Sequence, residues 1–184
     1  MALTEKALLN SDNQQQLAIT RQELFNARHL PGWMYTSPEI YALEIERIFM
    51  KSWLCGGRVE EFATPGAYQA LRIAGEPLLV CKDGSGQLNA FSNLCQHRGV
   101  EVVKGQGTAE EFMCPYHGWL YGLNGRLIGA PLTKEVTGFD FKNCRLPPLK
   151  LDTWADIFLS ISIQTASRSR RSWTKTMCVS SPRS

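Results

Sequence analysis

Nowhere does this chain stay apolar for the ~18–20 residues that a bilayer-spanning helix requires, so no membrane partner is expected. The opening MALTEKALLNSDNQQQ brings an acid at Glu5 and no long apolar core, which excludes an ordinary secretory leader. The expected setting is the cytoplasm, where thiols stay reduced. The six cysteines then read as metal ligands or inert core residues rather than disulfides. Internal repeats are absent, and histidine is scarce, with three in 184 residues. Acidic residues stop at Asp156. Beyond it stand Arg168, Arg170, Arg171, Lys175 and Arg183. Without these five, 15 basic residues face 17 acidic ones, so the net charge of +3 belongs to the tail. Aromatic interleaving there is limited to Trp173, and the segment reads as a solvated terminus rather than a nucleic-acid arm.

What is present supports a folded body. Apolar residues make up 43% and charged residues 20%, with five tryptophans, a composition that can bury a core. The length allows one domain, or one domain and an appended piece. Residues 1–30 are polar, with helical spacing around Leu17, Ile19, Leu24 and Phe25. Ser37 suits an N-cap, Pro38 the first helical position and Glu39 the positive helix end. The stripe of Ile40, Leu43, Ile45, Ile48 and Phe49 then predicts a helix over 38–51. From Trp53 the texture changes to short apolar runs between turns: YQALRIAG, PLLVCKD, QLNAFSNL, EFMC, WLYG and GRLIGAP. DGSG at 83–86 and LNG at 123–125 are hairpin signals. LPPLKLDTWADIFLSI reads as one closing strand behind the break at Pro147 and Pro148. The pattern is mainly β, a small antiparallel sandwich or barrel behind a short N-terminal helical segment. The expected divisions are a helical extension over 1–52, a β domain over 53–161 and a disordered basic tail over 162–184.

The chemistry concentrates in CQHRGVEVVKGQGTAEEFMCPYHGW. Two arms, Cys95-x-His97 and Cys114-x-x-His117, stand sixteen residues apart. Each follows a strand-like segment, AFSNL or EFM, and so forms a loop at a hairpin end. Gly99 and Gly118 follow the arms and are expected to serve the loop geometry, and Pro115 stiffens the second. Glycine lets backbone come close to a bulky inorganic group and donate amide hydrogens to it. A single zinc ion would accept two thiolates and two imidazoles, yet zinc fingers usually pair like with like on each arm. Mixed arms suit a two-metal core in which one iron takes both sulfurs and the other both imidazoles, the 2Fe–2S arrangement of Rieske type. Neutral imidazoles in place of thiolates ease reduction, moving the potential into roughly the −150 to +300 mV range. Cys55, Cys81, Cys144, Cys178 and His29 show no ligand spacing, and Cys55 and Cys81 read as core residues.

CQHRG at 95–99 and CPYHGWLYGLNGRL at 114–127, with FMKSWLCGGRVEEFATPGAY upstream, resemble the Rieske domain of ring-hydroxylating oxygenase alpha subunits. The likeness runs over about 31–161. Val100 and Tyr116 stand where respiratory-chain Rieske proteins carry an extra disulfide-forming pair, so the resemblance is to the lower-potential oxygenase or ferredoxin type. About fifty residues precede the first strand, as in the oxygenases and not in stand-alone ferredoxins. The resemblance implies that Cys95, His97, Cys114 and His117 hold the cluster, and that none of them is itself catalytic. It implies a reductase or ferredoxin as electron donor and a homotrimer in the full-length form. It also implies a mononuclear Fe(II) in a second domain, held by two histidines and a carboxylate. Tyr121 falls where such proteins place a hydroxyl that hydrogen-bonds a cluster sulfur or ligand cysteine. Trp119 is expected to shield the cluster or pack in the core, and Arg98 to lie on the solvated surface or to face a redox partner or neighbouring subunit. Aromatic acids, quaternary ammonium compounds and polycyclics all remain open as substrates.

His29 alone cannot supply a two-histidine triad, so the expectation is an electron-relay half without the oxygen-activating half. On its own the chain is not expected to hydroxylate anything. The tail suggests a reason. Read one base earlier from about Ser162, its codons can encode Asp-Pro-Asp-Cys-Glu-Pro-Leu-Ala-Pro-Lys-Leu-Asp-Glu-Asp-Asn, which resembles the acidic linker of these oxygenases. A frameshifted or truncated alpha subunit is the expectation, with a natural short, stand-alone Rieske ferredoxin-like electron carrier as the alternative.

Overall fold

The computed structural model of the chain describes residues 10–133 and 137–160. The expectations for residues 162–184, a disordered tail and a slipped frame, lie outside the described residues. The chain falls into two compact units, one ending at Phe49 and one beginning at Met50. No helix among the described residues is long and apolar enough to cross a membrane.

The first unit is helical. Asn10 caps α1 (Ser11–Ala18), its side chain accepting from the Asn13 amide at 2.8 Å. The short α2 (Gly32–Thr36) is tied to it by the Trp33 indole, whose Nε1 donates to Gln16 Oε1 at 3.0 Å. α3 (Pro38–Arg47) starts where its cap chemistry predicts: the Ser37 hydroxyl accepts from the Ile40 amide at 3.2 Å and donates to Glu39 at 2.7 Å. The helix ends four residues before the predicted Lys51, and the remainder tightens into a 3-10 turn over Phe49–Lys51.

The second unit is built of antiparallel sheets. β1 (Leu54–Arg58), β10 (Ile157–Ser160) and β9 (Leu151–Trp154) make a three-stranded sheet in the order β1-β10-β9. β4 (Leu88–Ser92), β3 (Glu76–Lys82), β2 (Ala67–Ile73) and β5 (Gln106–Thr108) make a four-stranded one, ordered β4-β3-β2-β5. β6 (Glu111–Met113), β7 (Leu120–Gly122) and β8 (Leu127–Gly129) form the third. The predicted turns at 83–86 and 123–125 both form. Asp83 organises the first, with Oδ1 accepting from the Ser85 and Gln87 amides at 2.9 and 3.0 Å. The expected single closing strand is instead a hairpin, β9 and β10, because Ala155 takes a positive φ of 51° and turns the chain within two residues. Two strands, β1 and β5, carry too little apolar pattern to be read from sequence.

β3 explains the unbroken apolar run PLLVCK. Strand side chains alternate between faces, and both faces of β3 are covered. Leu79 and Cys81 enter one core with Phe91, Phe112, Trp119, Tyr121 and Leu127. Leu78 and Val80 enter a second with Phe62, Ala67, Ala90 and Leu149. The β6–β8 sheet is docked on the first core through Phe112, which is 1% exposed and meets the Tyr68 ring edge-on at 5.5 Å. Phe112→Ala should therefore cost about 3–5 kcal/mol, read as a lowered guanidinium midpoint with an unchanged slope.

Candidate metal centre

Two loops of matching backbone carry the four candidate donors. In the first, the Gly99 amide donates to the Cys95 carbonyl at 2.8 Å and the Cys95 amide to the Val100 carbonyl at 2.9 Å. In the second, the Gly118 amide donates to the Cys114 carbonyl at 3.0 Å and the Cys114 amide to the Trp119 carbonyl at 2.7 Å. The offsets from each cysteine are identical, and both glycines take φ +68°. That left-handed conformation costs a residue with a Cβ roughly 1–2 kcal/mol. The sequence expectation gave these glycines both loop geometry and amide hydrogens donated to an inorganic group. Their amides are instead spent on the cysteine carbonyls, and the glycine is needed for its φ.

The loops set the four predicted residues in two pairs, Cys95 beside Cys114 and His97 beside His117. Cys95 and Cys114 are free thiols, 1% and 2% exposed. Burial raises the Cys95 thiol above its ordinary pKa, the Tyr121 hydroxyl and the His97 amide pull it back, and the neighbouring Cys114 thiol pushes it up again. The imidazoles of His97 and His117 meet edge-to-face with centroids 4.6 Å apart. Like is thus set against like: sulfur beside sulfur, imidazole beside imidazole, although each arm carries one of each. Among the described residues, no three His, Cys, Asp or Glu side chains gather about one point. The cysteine end is buried, whereas His97 is half-buried and His117 exposed.

His97 carries the clearest sign of an absent partner. Its Nδ1 is buried without a hydrogen bond, one of three such side-chain atoms among the described residues, with Gln69 Oε1 and Ser92 Oγ. An orphan of this kind costs ~1–3 kcal/mol. Burial first, then the His117 and Arg98 charges, lowers the His97 pKa. The ring is therefore held neutral, with a lone pair to offer. Trp119, 3% exposed, stacks flat on it at 4.8 Å and 7° and leans on Phe139 at 5.5 Å. The donor set, two buried thiols and an unpartnered imidazole nitrogen, fits a thiolate- and imidazole-bound iron–sulfur group.

Tyr121 is fully buried, and its hydroxyl lies 3.3 Å from Cys95 Sγ while accepting the Gln96 amide at 3.0 Å. With its oxygen so engaged, its own proton is free to point at the sulfur. Burial and the Cys95 contact push its pKa well above the usual phenol range, so that proton stays on. Arg98 is exposed, as expected. Sequence reasoning missed Asn93, two residues before Cys95, which is 1% exposed and bonds Val102 and Val103 through its side chain.

The other cysteines divide. Cys81 is buried as expected, its thiol donating to the Leu123 carbonyl at 3.2 Å. Cys55, expected in the core, is exposed. β1 is an edge strand, and Cys55 sits on its outward face beside a register shift at Gly56. Five residues with two glycines gave no period from which to read that face.

Known proteins resemble this chain. Residues 52–140 match the family described as the Rieske [2Fe-2S] domain. The chloroplastic choline monooxygenase of Beta vulgaris is 40% identical over 129 residues, 70% of this chain and 29% of that protein. The carnitine monooxygenase oxygenase subunit of Acinetobacter baumannii is 37% identical over 134 residues, 72% of this chain and 36% of that protein. A solved quaternary ammonium Rieske monooxygenase, described for carnitine oxidation by gut microbiota and inter-subunit electron transfer, aligns with a TM-score of 0.66 and 32% identity. That alignment covers 77% of this chain and 42% of the other. The chain thus spans about a third of the length of these curated relatives.

Burial, with the Asp83 charge adding to it, pushes the Cys81 thiol up to about 12. It stays protonated and inert across the neutral range. At about pH 8, iodoacetamide should label Cys55 in the native chain and spare Cys81 until denaturant is added; peptide mass mapping reads both.

Proposed function

Residues 52–140 belong to the Rieske [2Fe-2S] domain family, and on that premise we propose that this chain is the electron-transfer module of a Rieske oxygenase subunit. One observation carries the reading: two loops of matching closure pair thiol with thiol and imidazole with imidazole. Cys95 and Cys114 would hold one iron as thiolates. His97, through Nδ1, and His117 would hold the other as neutral imidazoles. When bound, the 2Fe–2S cluster supplies one-electron reduction and reoxidation at a potential raised by its imidazole ligands.

The chain's own residues shape that chemistry. Burial of both cysteines keeps water from the sulfur end, and Trp119 fixes the plane of the His97 ring. A proton is left on Nε2 of His97, at the half-buried side. The exposed His117 gives the centre its open edge, where a partner can approach within electron-transfer range. The electron donor is a reductase or ferredoxin. The acceptor is a mononuclear iron of the complete oxygenase, reached across a subunit boundary in a homotrimer; inter-subunit transfer in the solved relative supports this. Choline and carnitine are quaternary ammonium compounds, and the likeness to their monooxygenases favours that substrate class for the complete enzyme.

Iron and acid-labile sulfide should be found in equal amounts, two of each per chain, as a 2Fe–2S centre requires. Dithionite reduction should give the paramagnetic resonance of a Rieske centre. A diamagnetic protein with one zinc per chain would sink the reading in favour of a structural zinc module.

A donor to sulfur favours the more negative, reduced state. Tyr121→Phe should therefore keep the cluster and lower its midpoint potential by some tens of mV. About 1 kcal/mol of lost differential hydrogen bonding is roughly 40 mV for one electron. Redox titration followed by visible absorption checks it.

A further inference from the structure

The two loops share a closure but not a foundation. The second is the end of the β6–β7 hairpin, where Met113 pairs with Leu120, Phe112 with Tyr121 and Glu111 with Gly122. The first begins in the same register, with Leu94 opposite Glu101, but that pairing is an isolated bridge and no strand follows it. The next rung would set Asn93 against Val102, as Phe112 is set against Tyr121.

At that rung one backbone bond remains and a side chain supplies the rest. The Val102 amide reaches the Asn93 carbonyl at 3.1 Å and Asn93 Oδ1 at 3.2 Å. Oδ1 also accepts the Val103 amide at 3.1 Å, and Nδ2 donates to the Val103 carbonyl at 2.8 Å. Two amides and one carbonyl around the carboxamide leave it a single orientation. The Asn93 amide donates to the Pro77 carbonyl at 2.9 Å, which anchors the assembly on β3. Asn93 and Val102 are 1% and 2% exposed, so water cannot replace the bond between them, and the two bonds to the half-buried Val103 lie at the edge of that core.

We infer that Asn93 is the positioning residue of the first loop, its carboxamide standing in for the β-ladder that only the second loop possesses. It fixes where Cys95 and His97 stand. The inference rests on the reading of both loops as cluster-holding loops. No apolar residue of similar size can do this, because it would strand the Val103 amide and carbonyl and leave Val102 with the backbone bond alone. Aspartate keeps the shape and the acceptor but loses the donor to Val103.

The test uses the full chain with its cluster. Asn93→Asp and Asn93→Ala should keep the sheet signature in far-ultraviolet circular dichroism. They should lose iron to a chelator about ten- to a hundredfold faster than wild type, followed as bleaching of the visible bands. The cluster that remains should show shifted g-values in the reduced state, which a role confined to stability would not produce. Folded variants with wild-type iron loss and unchanged spectra overturn the inference. If neither variant folds, hydrogen exchange of the wild-type chain decides. Protection of the peptide over 100–105 equal to that over 111–122 supports the clamp, and free exchange there overturns it. A wild-type chain without a Rieske signal overturns the cluster reading, and this inference with it; a wild-type chain with the signal and indifferent variants overturns this inference alone.

Discussion

The carbonyl of Cys95 holds the amide of Gly99, and the carbonyl of Cys114 holds that of Gly118. These two short bonds force a left-handed turn just after each histidine, and the rest of the centre is arranged around that constraint. Because the turn is the same in both loops, cysteine meets cysteine and histidine meets histidine, even though one arm has a single spacer and the other has two. The extra residue in the second arm is absorbed between Cys114 and His117, inside the turn, and leaves the closure untouched.

Around this frame the protein sorts its surroundings by polarity. The sulfur end lies in the core that β3, β4 and the β6–β8 sheet share, where burial raises the energy of an uncompensated thiolate. The Tyr121 hydroxyl and the His97 amide are the groups that offset it. The imidazole end lies toward solvent, backed by the flat face of Trp119. Tyr121 belongs to the hairpin of the second loop but bonds Cys95 and Gln96 of the first. The two halves are therefore held to each other by a side chain as well as by any group between them.

The four candidate donors stood out because histidine is scarce and their spacing is narrow, and Tyr121 stood out from its distance to His117. The hairpin at 83–86 announced itself through Asp83 and two glycines. Other features had no local signal. β1 and β5 are short edge elements whose pairing depends on distant partners, and Cys55 inherits its exposure from that edge. The β9–β10 hairpin turns at Ala155, a residue that seldom adopts positive φ, so composition hid it. Asn93 looked like one more polar residue near a turn. Its weight comes from Val102 and Val103, nine and ten residues on, which only the folded loop brings to it.

β3 stands between two cores, giving Leu79 and Cys81 to one and Leu78 and Val80 to the other. Neither core can melt while β3 stays in place for the other, since a shift of one residue along the strand would exchange both sets at once. The sheets of the second unit are thereby coupled into one cooperative transition. Damage far from the centre, at Phe62 or Ala67 on the opposite face, is felt at the loops as a change in the fraction of molecules that are folded at all, not as a change in their geometry.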